Sequence, residues 1–258
     1  MIKAIIVEDE HRHSNRLRKL IAQTDNDIKV LAVCTEVEEA VSVIREQKPE
    51  LLFLDICING ELKAGFRLLK LLADDSAMFD VIFTTAHIDS NIIEIRRCGL
   101  DYIAKPYVEE ELSDALGKFW EKKEGHIGIR QVKTLLNNLV TEDLEDQMVW
   151  LSDKVQDFPV RVRDVIYCES ATQPKEHTKV HYLQNDKLTH VVSSLNIGRW
   201  EEMLAKYRFC RIHRQHLVNF RHISSFNRSE NMATLGKVNL HFPVSRTGKE
   251  KLGILMNK

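Results

Sequence analysis

The sequence lacks several features, and each absence excludes a class of protein. No apolar stretch approaches the ~20 residues that a membrane-spanning helix needs. The N-terminus has neither the basic region nor the cleavage site of a signal peptide. The five cysteines are scattered and form no paired motif, so neither a disulfide framework nor a zinc knuckle is indicated. We therefore predict a cytoplasmic protein with reduced thiols and no membrane association.

Charge is distributed unevenly along the 258 residues, although the net charge is only −1. Residues 1–145 contain 19 lysines and arginines against 27 acidic residues, a net charge of −8. Residues 146–258 contain 18 against 11, a net charge of +7, and also seven of the eleven histidines. The length favours two domains, and the asymmetry predicts that only the second contacts a polyanion.

The first half alternates between apolar runs and amphipathic segments, as expected for strands followed by helices. Strands are predicted at 2–7, 29–34, 51–55, 81–85 and 102–104, and helices at 11–22, 37–47, 66–73, 91–98 and from 108 onward. Five successive strand–helix units predict an α/β fold, a doubly wound five-stranded parallel sheet with helices on both faces. We assign this domain to residues 1–124.

Polar side chains follow the predicted strands at one edge of this sheet. The apolar run 51–54 leads directly into Asp55, as expected for a buried parallel strand with its polar residue at the C-terminal end. The other strand ends carry Glu8, Asp9, Thr85 and Lys105. Because the carboxyl ends of parallel strands border one crevice, we expect these side chains to meet there.

Clustered carboxylates in such a crevice favour a divalent cation. They raise one another's pKa unless a cation neutralises them, and oxygen ligands suit Mg²⁺. The predicted ligands are Glu8, Asp9, Asp55 and the backbone carbonyl of Cys57. Asp55 would be the nucleophile that accepts a phosphoryl group. Thr85 would offer a hydroxyl, and Lys105 a positive charge, to the phosphoryl oxygens.

The first half resembles the receiver domain of two-component response regulators. The resemblance rests on Glu8-Asp9, Asp55, Thr85-Ala86, Tyr102 and Lys105-Pro106. It implies that a sensor histidine kinase phosphorylates Asp55, and that Thr85 and Tyr102 move together as a switch. It also implies a cis peptide bond before Pro106, which would aim Lys105 at the site.

The loop after Asp55 departs from this family pattern. Family members usually have a tight loop with a proline and an earlier glycine. Here the loop has no proline, and the matching glycine, Gly65, comes ten residues on. We therefore expect a longer loop of different shape, which surface loops tolerate. The departure bears most directly on the metal contact of Cys57.

Residues 125–146 are predicted to connect the two domains. Helical spacing continues from the last helix through Leu135 and Leu139, with interruptions at Gly125 and Gly128. The acidic run 141–146 is expected to be solvated. The segment is either a linker helix or a dimerising helix, and the sequence favours neither. We assign the second domain to residues 147–258.

The second half consists of short apolar runs separated by frequent turn signals. Strands are predicted at 148–151, 160–162, 165–169, 178–183, 188–192, 209–211, 217–219, 223–226, 232–235 and 238–242, with one helix at 197–206. This pattern predicts a mostly β domain and argues against a helix-turn-helix. Nucleic acid would then be contacted by loops.

The stretch 209–219 alternates basic with apolar side chains. Period-two alternation places Arg211 and His213 on one face of a strand and Cys210 and Ile212 on the other. Arginine can bind phosphate or guanine, and histidine can donate to phosphate. In the structural alternative, Arg211 pairs with a carboxylate and His213 is satisfied within the fold. For Asn219, placed in a turn, we favour the structural role.

Residues 148–255 resemble the LytTR DNA-binding domain. The matching motifs stand in family order: Asp164-Val165-Ile166-Tyr167, Arg211-Ile212-His213-Arg214, Leu217-Val218-Asn219, Ile223 and Pro243-Val244-Ser245-Arg246. The resemblance implies a ten-stranded β fold whose loops enter successive major grooves of double-stranded DNA at direct repeats, usually as a homodimer. By position it implies base contacts from His177, Arg214 and Arg246, and phosphate contacts from Arg211, His213 and Lys249. The pair Gln215-His216 departs from the family, which more often has serine and an aromatic residue.

Three alternatives belong to other classes. A phosphohydrolase with an aspartyl intermediate usually needs a second aspartate two residues after the nucleophile, where this chain has Cys57. Zinc binding would draw on His177, His181, His190, His213, His216 and His222, which lack metal-ligand spacing. A LytTR regulator could also be independent of phosphorylation and controlled by dimerisation or protein contact. We favour a transcription regulator that is not an enzyme, with Mg²⁺-dependent phosphorylation of Asp55 that promotes dimers.

Overall fold

The first half of the chain folds around the predicted parallel sheet. A computed structural model describes residues 1–73, 79–86, 90–122, 128–152 and 157–256 and divides the chain into two units, Met1–Val140 and Thr141–Lys258. The strands of the first unit are β1 (Ile2–Val7), β2 (Ile28–Cys34), β3 (Leu51–Asp55), β4 (Cys57–Ile58), β5 (Glu61–Leu62), β6 (Asp80–Thr85) and β7 (Asp101–Ala104). Its helices are α1 (His11–Thr24), α2 (Val37–Gln47), α3 (Ala64–Leu72), α4 (Ser90–Arg97), α5 (Glu109–Lys122) and α6 (Gly128–Val140).

Strand order places the crevice of this sheet between β1 and β3. The order is β2-β1-β3-β6-β7, with every neighbouring pair parallel. The chain moves outward from β1 to β2 and then returns to the other side of β1, so β1 and β3 flank the point where the strand order reverses. Ligands of open α/β sheets bind at such points, beyond the carboxyl ends of the strands. The fold class predicted from the sequence is confirmed.

Apolar periodicity explains how the helices cover this sheet. Every residue of β3 is buried, as its continuous apolar run predicts. On α1, Leu17 and Ile21 are four residues apart and face the core, as do Leu112 and Leu116 on α5. These side chains pack on the sheet, so the strand ends are held on a rigid base.

Helix α6 packs within the first unit. Val132 and Leu135 are buried, and the buried Asn138 amide lies 3.5 Å from the Cys98 sulfur. One face of the predicted connecting helix is therefore used inside this unit. The predicted interruption at Gly125 lies outside the described residues.

The second unit consists mainly of antiparallel strands. These are β8 (Met148–Ser152), β9 (Asp157–Arg161), β10 (Val165–Ser170), β11 (Thr178–Gln184), β12 (Lys187–Ser193), β13 (Phe209–His213), β14 (His216–Asn219), β15 (Ile223–Asn227), β16 (Met232–Leu235) and β17 (Leu240–Pro243), with helices α7 (Ile197–Leu204) and α8 (Arg246–Met256). A five-stranded sheet has the order β12-β11-β10-β14-β13, beside a three-stranded sheet and the β8–β9 pair. The ten strands found among the described residues confirm the mostly β prediction.

Several predicted boundaries in the second unit are wrong. Strand β9 ends at Arg161, because buried Val162 belongs to a 3₁₀ turn. The last strand begins at Leu240 instead of Val238, since Asn239 adopts a left-handed conformation that no strand continues through. Helix α7 ends at Leu204 before a further 3₁₀ turn.

Helix α8 is absent from the sequence prediction. Two glycines lower its intrinsic helix propensity, so its sequence reads as a loop. Tertiary packing nevertheless forms a helix: Leu252 is buried, and the backbone N–H of Gly248 donates to Ser245 Oγ at 3.1 Å in an N-terminal cap. Within the described residues, no helix is both long and apolar enough for a membrane span.

Candidate functional site

The predicted carboxylates meet at the carboxyl ends of β1 and β3. One carboxylate oxygen from each of Glu8, Asp9 and Asp55 lies within 4.8 Å of the others. Glu8 and Asp55 are buried, at 0% and 4% exposure, whereas Asp9 is half-buried. Three acidic side chains at this spacing form an oxygen-rich donor set that suits a hard cation such as Mg²⁺.

Lys105 binds two of these carboxylates. Its Nζ lies 2.5 Å from Oδ2 of Asp55 and 2.6 Å from Oε2 of Glu8. The peptide bond between Lys105 and Pro106 is cis, as the family resemblance implied. Burial raises the pKa of Glu8, and the hydrogen bond from Lys105 offsets only part of this effect. Burial lowers the pKa of Lys105, but its bonds to Asp55 and Glu8 outweigh burial and raise the pKa overall.

The loop after Asp55 folds as a short hairpin. Strands β4 and β5 pair across Asn59 and Gly60, which have φ angles of 52° and 77°. Positive φ at both central residues is typical of two-residue hairpins with an Asn-Gly sequence. The backbone N–H of Asn59 donates to Oδ2 of Asp9 at 2.9 Å, and that of Cys57 donates to Oδ1 of Asp55 at 3.1 Å. The longer loop therefore orients two of the three carboxylates.

The predicted switch residues lie on neighbouring strands. Thr85 is buried at the end of β6, where its carbonyl accepts a hydrogen bond from the Lys105 backbone at 2.7 Å. Tyr102 is half-buried on β7, and its hydroxyl accepts a hydrogen bond from Arg96 of α4. The Arg96 guanidinium also lies 4.8 Å from the Tyr102 ring centre. Tyr102 thus contacts the helix beside its strand.

Tyr107 belongs to this site and was missed from sequence, whereas Gly65 was identified there only as a loop glycine. The hydroxyl of buried Tyr107 donates to Oε2 of Glu8 at 3.1 Å, and burial beside this carboxylate raises the tyrosine pKa. A Cβ on Gly65 would lie 2.3 Å from the Asp55 carbonyl oxygen, so a side chain there would collide with the end of β3. The partner of Tyr107, Glu8, is 99 residues away in the sequence, so no local sequence signal indicated this contact.

Strand β13 and the turn that follows it carry three predicted DNA contacts. Arg214 is exposed, whereas Arg211 and His213 are half-buried and Cys210 and Ile212 are fully buried. The predicted alternation along this strand is confirmed. A cleft beside the turn is lined by Arg211, His213, Arg214, Ser245, Thr247 and Lys251.

Several partners of this turn match the structural alternative. Arg211 lies 3.4 Å from a carboxylate oxygen of Glu201, and His213 Nδ1 accepts from the Gln215 backbone N–H at 3.3 Å. Asn219 has a structural role: its amide donates to the Val165 carbonyl at 3.0 Å, while its Oδ1 caps the following 3₁₀ turn. These bonds fix the β13–β14 turn in the sheet.

Arg246 and Lys249 lie on α8 and not on a loop, which corrects the prediction of loop contacts for these two residues. Both are exposed, and Arg246 is the first residue of the helix. The start of α8 is anchored to β13, because the backbone N–H and hydroxyl of Ser245 both donate to the Ile212 carbonyl, at 2.8 and 3.1 Å. His177 lies in the loop before β11, as predicted, with Nδ1 3.1 Å from the Lys175 carbonyl.

Histidines form part of an aromatic stack on the five-stranded sheet. His181 stacks on Tyr167 with ring centres 4.0 Å apart, and His190 lies 5.1 Å from His181. Burial lowers the pKa of His181, His216 and His222 below 6.5. The bond of His181 to Glu169 and that of His222 to a backbone carbonyl only partly oppose this effect.

Acidification is expected to destabilise the second unit. The folded-state pKa values of His181, His216 and His222 lie below the unfolded value, so the unfolded chain binds more protons as pH falls. This stability is fully present above about pH 6.5 and is lost as pH falls toward the folded-state values. Denaturant unfolding of the full chain between pH 7 and 5 measures it. The variant His222→Gln, which keeps a donor for the Arg163 carbonyl, should be less sensitive to acid; stability that rises on acidification contradicts the prediction.

Comparisons with known proteins match both units. The model of the response regulator receiver domain matches residues 4–117, and that of the LytTR DNA-binding domain matches residues 156–256. The sensory transduction protein LytT of Bacillus anthracis is 24% identical over 99% of both chains, and that of Bacillus subtilis (strain 168) is 26% identical over 100% of both. The response regulatory domain of protein mrkE from Klebsiella pneumoniae covers 48% of this chain and 98% of its own, with 26% identity and a TM-score of 0.42. The similarity to the two LytT proteins therefore extends across both units.

Proposed function

Because the chain belongs to the DNA-binding response regulators that join a receiver domain to a LytTR domain, we propose that Asp55 accepts a phosphoryl group from a sensor histidine kinase. The observation that carries this proposal is the meeting of Glu8, Asp9 and Asp55 with the Lys105 ammonium at one sheet edge. In the transfer, the P–N bond of the kinase phosphohistidine breaks and a P–O bond to Asp55 forms. Asp55 is then the acceptor of a single phosphoryl group, and its role as nucleophile does not make the protein a turnover enzyme.

The site residues divide the work of this transfer. Glu8, Asp9, Asp55 and the backbone carbonyl of Cys57 would hold Mg²⁺, which when bound neutralises negative charge on the phosphoryl oxygens. Lys105 already contacts Oδ2 of Asp55, so its ammonium is placed beside the oxygens that the phosphoryl group brings. The Thr85 hydroxyl would donate to another of these oxygens. Movement of Thr85 would free Tyr102 to change its position, which would report the modification at α4.

Phosphorylation would favour homodimers that place two LytTR domains on direct repeats of double-stranded DNA. Linking two binding domains raises the effective concentration of the second for its site, so dimerisation increases affinity without a new contact. The basic second half, with a net charge of +7, supports binding to a polyanion. Arg214, Arg246 and His177 would contact bases, while His213 and Lys249 would contact phosphates. Arg211, a phosphate contact in the sequence prediction, lies beside the Glu201 carboxylate and is assigned no DNA contact.

Intact-mass measurement tests the first step. The full chain is incubated with a small acyl phosphate, with Mg²⁺ or with an excess of chelator. One added phosphoryl group per chain is expected with Mg²⁺ and a much slower addition without it, because the carboxylates repel the incoming anion. Equal addition in both conditions would contradict a metal-assisted reaction.

Arg246→Ala and Lys249→Ala should separate base contacts from phosphate contacts. The probes are a duplex that the wild-type chain enriches from a random pool, termed the selected duplex, and a random duplex of equal length. Arg246→Ala should weaken binding to the selected duplex by about 1–3 kcal/mol and spare the random duplex. Lys249→Ala should weaken binding to both duplexes and reduce the slope of log affinity against log salt concentration by about 0.9. Equal losses on both duplexes would refute the role of Arg246.

A regulator independent of phosphorylation is the second candidate. One observation favours it: the β4–β5 hairpin replaces the usual loop beside Asp55. This candidate predicts no phosphoryl addition and unchanged DNA affinity after treatment with acyl phosphate. Analytical ultracentrifugation would then be used to seek control through the oligomeric state.

A further inference from the structure

The carboxylate of Glu201 joins two parts of the second unit. Glu201 lies on α7, a helix fixed in the core by buried Trp200 and Leu204. Its Oε2 is 3.4 Å from Nη1 of Arg211 on β13, and its Oε1 is 2.6 Å from Nζ of Lys251 on α8. The two oxygens therefore bind cations from two different elements.

Arg211 extends this link to the turn that presents Arg214. Its Nε donates to the carbonyl of His213 at 2.9 Å, and its Nη2 donates to the carbonyl of Arg214. Together with the Glu201 contact, three guanidinium nitrogens have partners inside the protein. The guanidinium thus holds the β13–β14 turn against α7, while the Arg214 side chain is exposed.

Lys251 extends the link to the helix that presents Arg246. It lies on α8, which begins at Arg246 and also carries Lys249. One carboxylate on a rigid helix consequently restrains both surfaces that carry the proposed base-contacting arginines. The start of α8 is also bonded to Ile212 of β13 through Ser245, so loss of the Glu201 contacts would loosen the spacing of the turn and the helix without separating them.

We propose that Glu201 and Arg211 are positioning residues, which hold the Arg214 turn and α8 at the spacing that a recognised DNA sequence requires. The inference rests on the proposed base contacts of Arg214 and Arg246. By charge alone, an acid among these cations opposes DNA binding, because charges within about 8 Å of each other interact at physiological salt. Pre-organisation of the two arginines offsets that repulsion, since it reduces the ordering cost of binding.

Removal of a negative charge alone would strengthen DNA binding, whereas loss of positioning weakens binding to the selected duplex. The variant Glu201→Gln therefore distinguishes the two effects. It should weaken binding to the selected duplex about tenfold, which corresponds to the loss of one aligned base contact. Binding to the random duplex should be unchanged or slightly tighter. The matched control is Glu202→Gln on the same helix, where Glu202 is 60% exposed and pairs with Arg199. This control variant should not weaken binding to either duplex. Tighter binding of both duplexes by Glu201→Gln, or equal weakening of both, would overturn the proposal.

Arg211→Ala provides a second measurement that does not depend on Glu201. A positioning residue leaves the number of phosphate contacts unchanged, so the salt slope on the random duplex should equal that of wild type. A slope lower by about 0.9 would identify Arg211 as a phosphate contact and overturn its positioning role.

Arg246→Ala, measured in parallel, distinguishes failure of this inference from failure of the proposed base contact. If Arg246→Ala lowers the ratio of selected to random affinity and Glu201→Gln does not, only the positioning role is wrong. If neither variant changes the ratio, both the base contact and the positioning role fail.

Discussion

Asp55→Asn is expected to abolish phosphoryl addition from both a small acyl phosphate and a kinase donor. An amide nitrogen replaces one carboxylate oxygen, so the nucleophile loses its charge while its shape is nearly unchanged. The backbone N–H of Cys57 can still donate its hydrogen bond, because the asparagine side chain keeps one carbonyl oxygen as the acceptor. Intact-mass measurement of the variant beside wild type checks this prediction, and circular dichroism confirms that the variant is folded.

The matched control is Asp114→Asn, which makes the same charge change on an exposed residue of α5. It should accept the phosphoryl group as wild type does. Asp9→Asn is expected to retain the acceptor but to react more slowly, because one of the proposed Mg²⁺-binding carboxylates is removed. Addition to Asp55→Asn at the wild-type rate would show that another residue is the acceptor.

Loss of the acceptor should also remove the effect of acyl phosphate on the DNA affinity of the protein. If phosphorylation drives dimers on direct repeats, affinity for a two-site duplex should rise by about 10²-fold or more in wild type and remain constant in Asp55→Asn. A rise in affinity in both proteins would separate DNA binding from Asp55 and favour the regulator independent of phosphorylation. Titration of both proteins at one salt concentration gives the comparison.

The acidic site was accessible from sequence because parallel strands bring their carboxyl ends together. Short apolar runs in the sequence located β1 and β3. Glu8 and Asp55 are the first polar residues after these runs, and in the structure they lie at the carboxyl ends of the two strands. The hairpin after Asp55 also had a local signal, since Asn59-Gly60 is a typical two-residue hairpin turn. From the sequence we predict only a longer loop there. The Tyr107 bond to Glu8 spans 99 residues, and no local pattern reports such a contact.

The second unit was predictable in its strands and less so in its DNA-binding surface. Alternation along β13 correctly separated Arg211 from the buried face, but a pattern of spacing does not identify which partner a half-buried arginine binds. Glu201 and Lys251 are 50 residues apart, so their ion pair depends on the completed fold. Helix α8 likewise forms because its residues pack on β13, which propensity alone does not indicate.

Gly248→Ala is expected to destabilise the second unit and to disrupt its DNA surface. A Cβ at this position would lie 2.1 Å from the carbonyl oxygen of Ile212 and 2.8 Å from its Cα. Both atoms belong to the backbone, so no side chain can rotate away, and α8 must shift from β13. Because Arg246 and Lys249 lie on this helix, selected-duplex binding should fall with stability.

The expected loss is about 1–3 kcal/mol in the free energy of unfolding, the range for overpacking a well-packed contact. Gly253→Ala on the same helix is the matched control, since a Cβ there meets nothing within 4 Å. It should raise stability by about 0.5–1 kcal/mol, because alanine is the better helix former. Denaturant unfolding of the full chain, with the second unit followed by amide hydrogen exchange, compares the two variants. Equal stability of the two alanine variants would mean that α8 is not held against the Ile212 carbonyl.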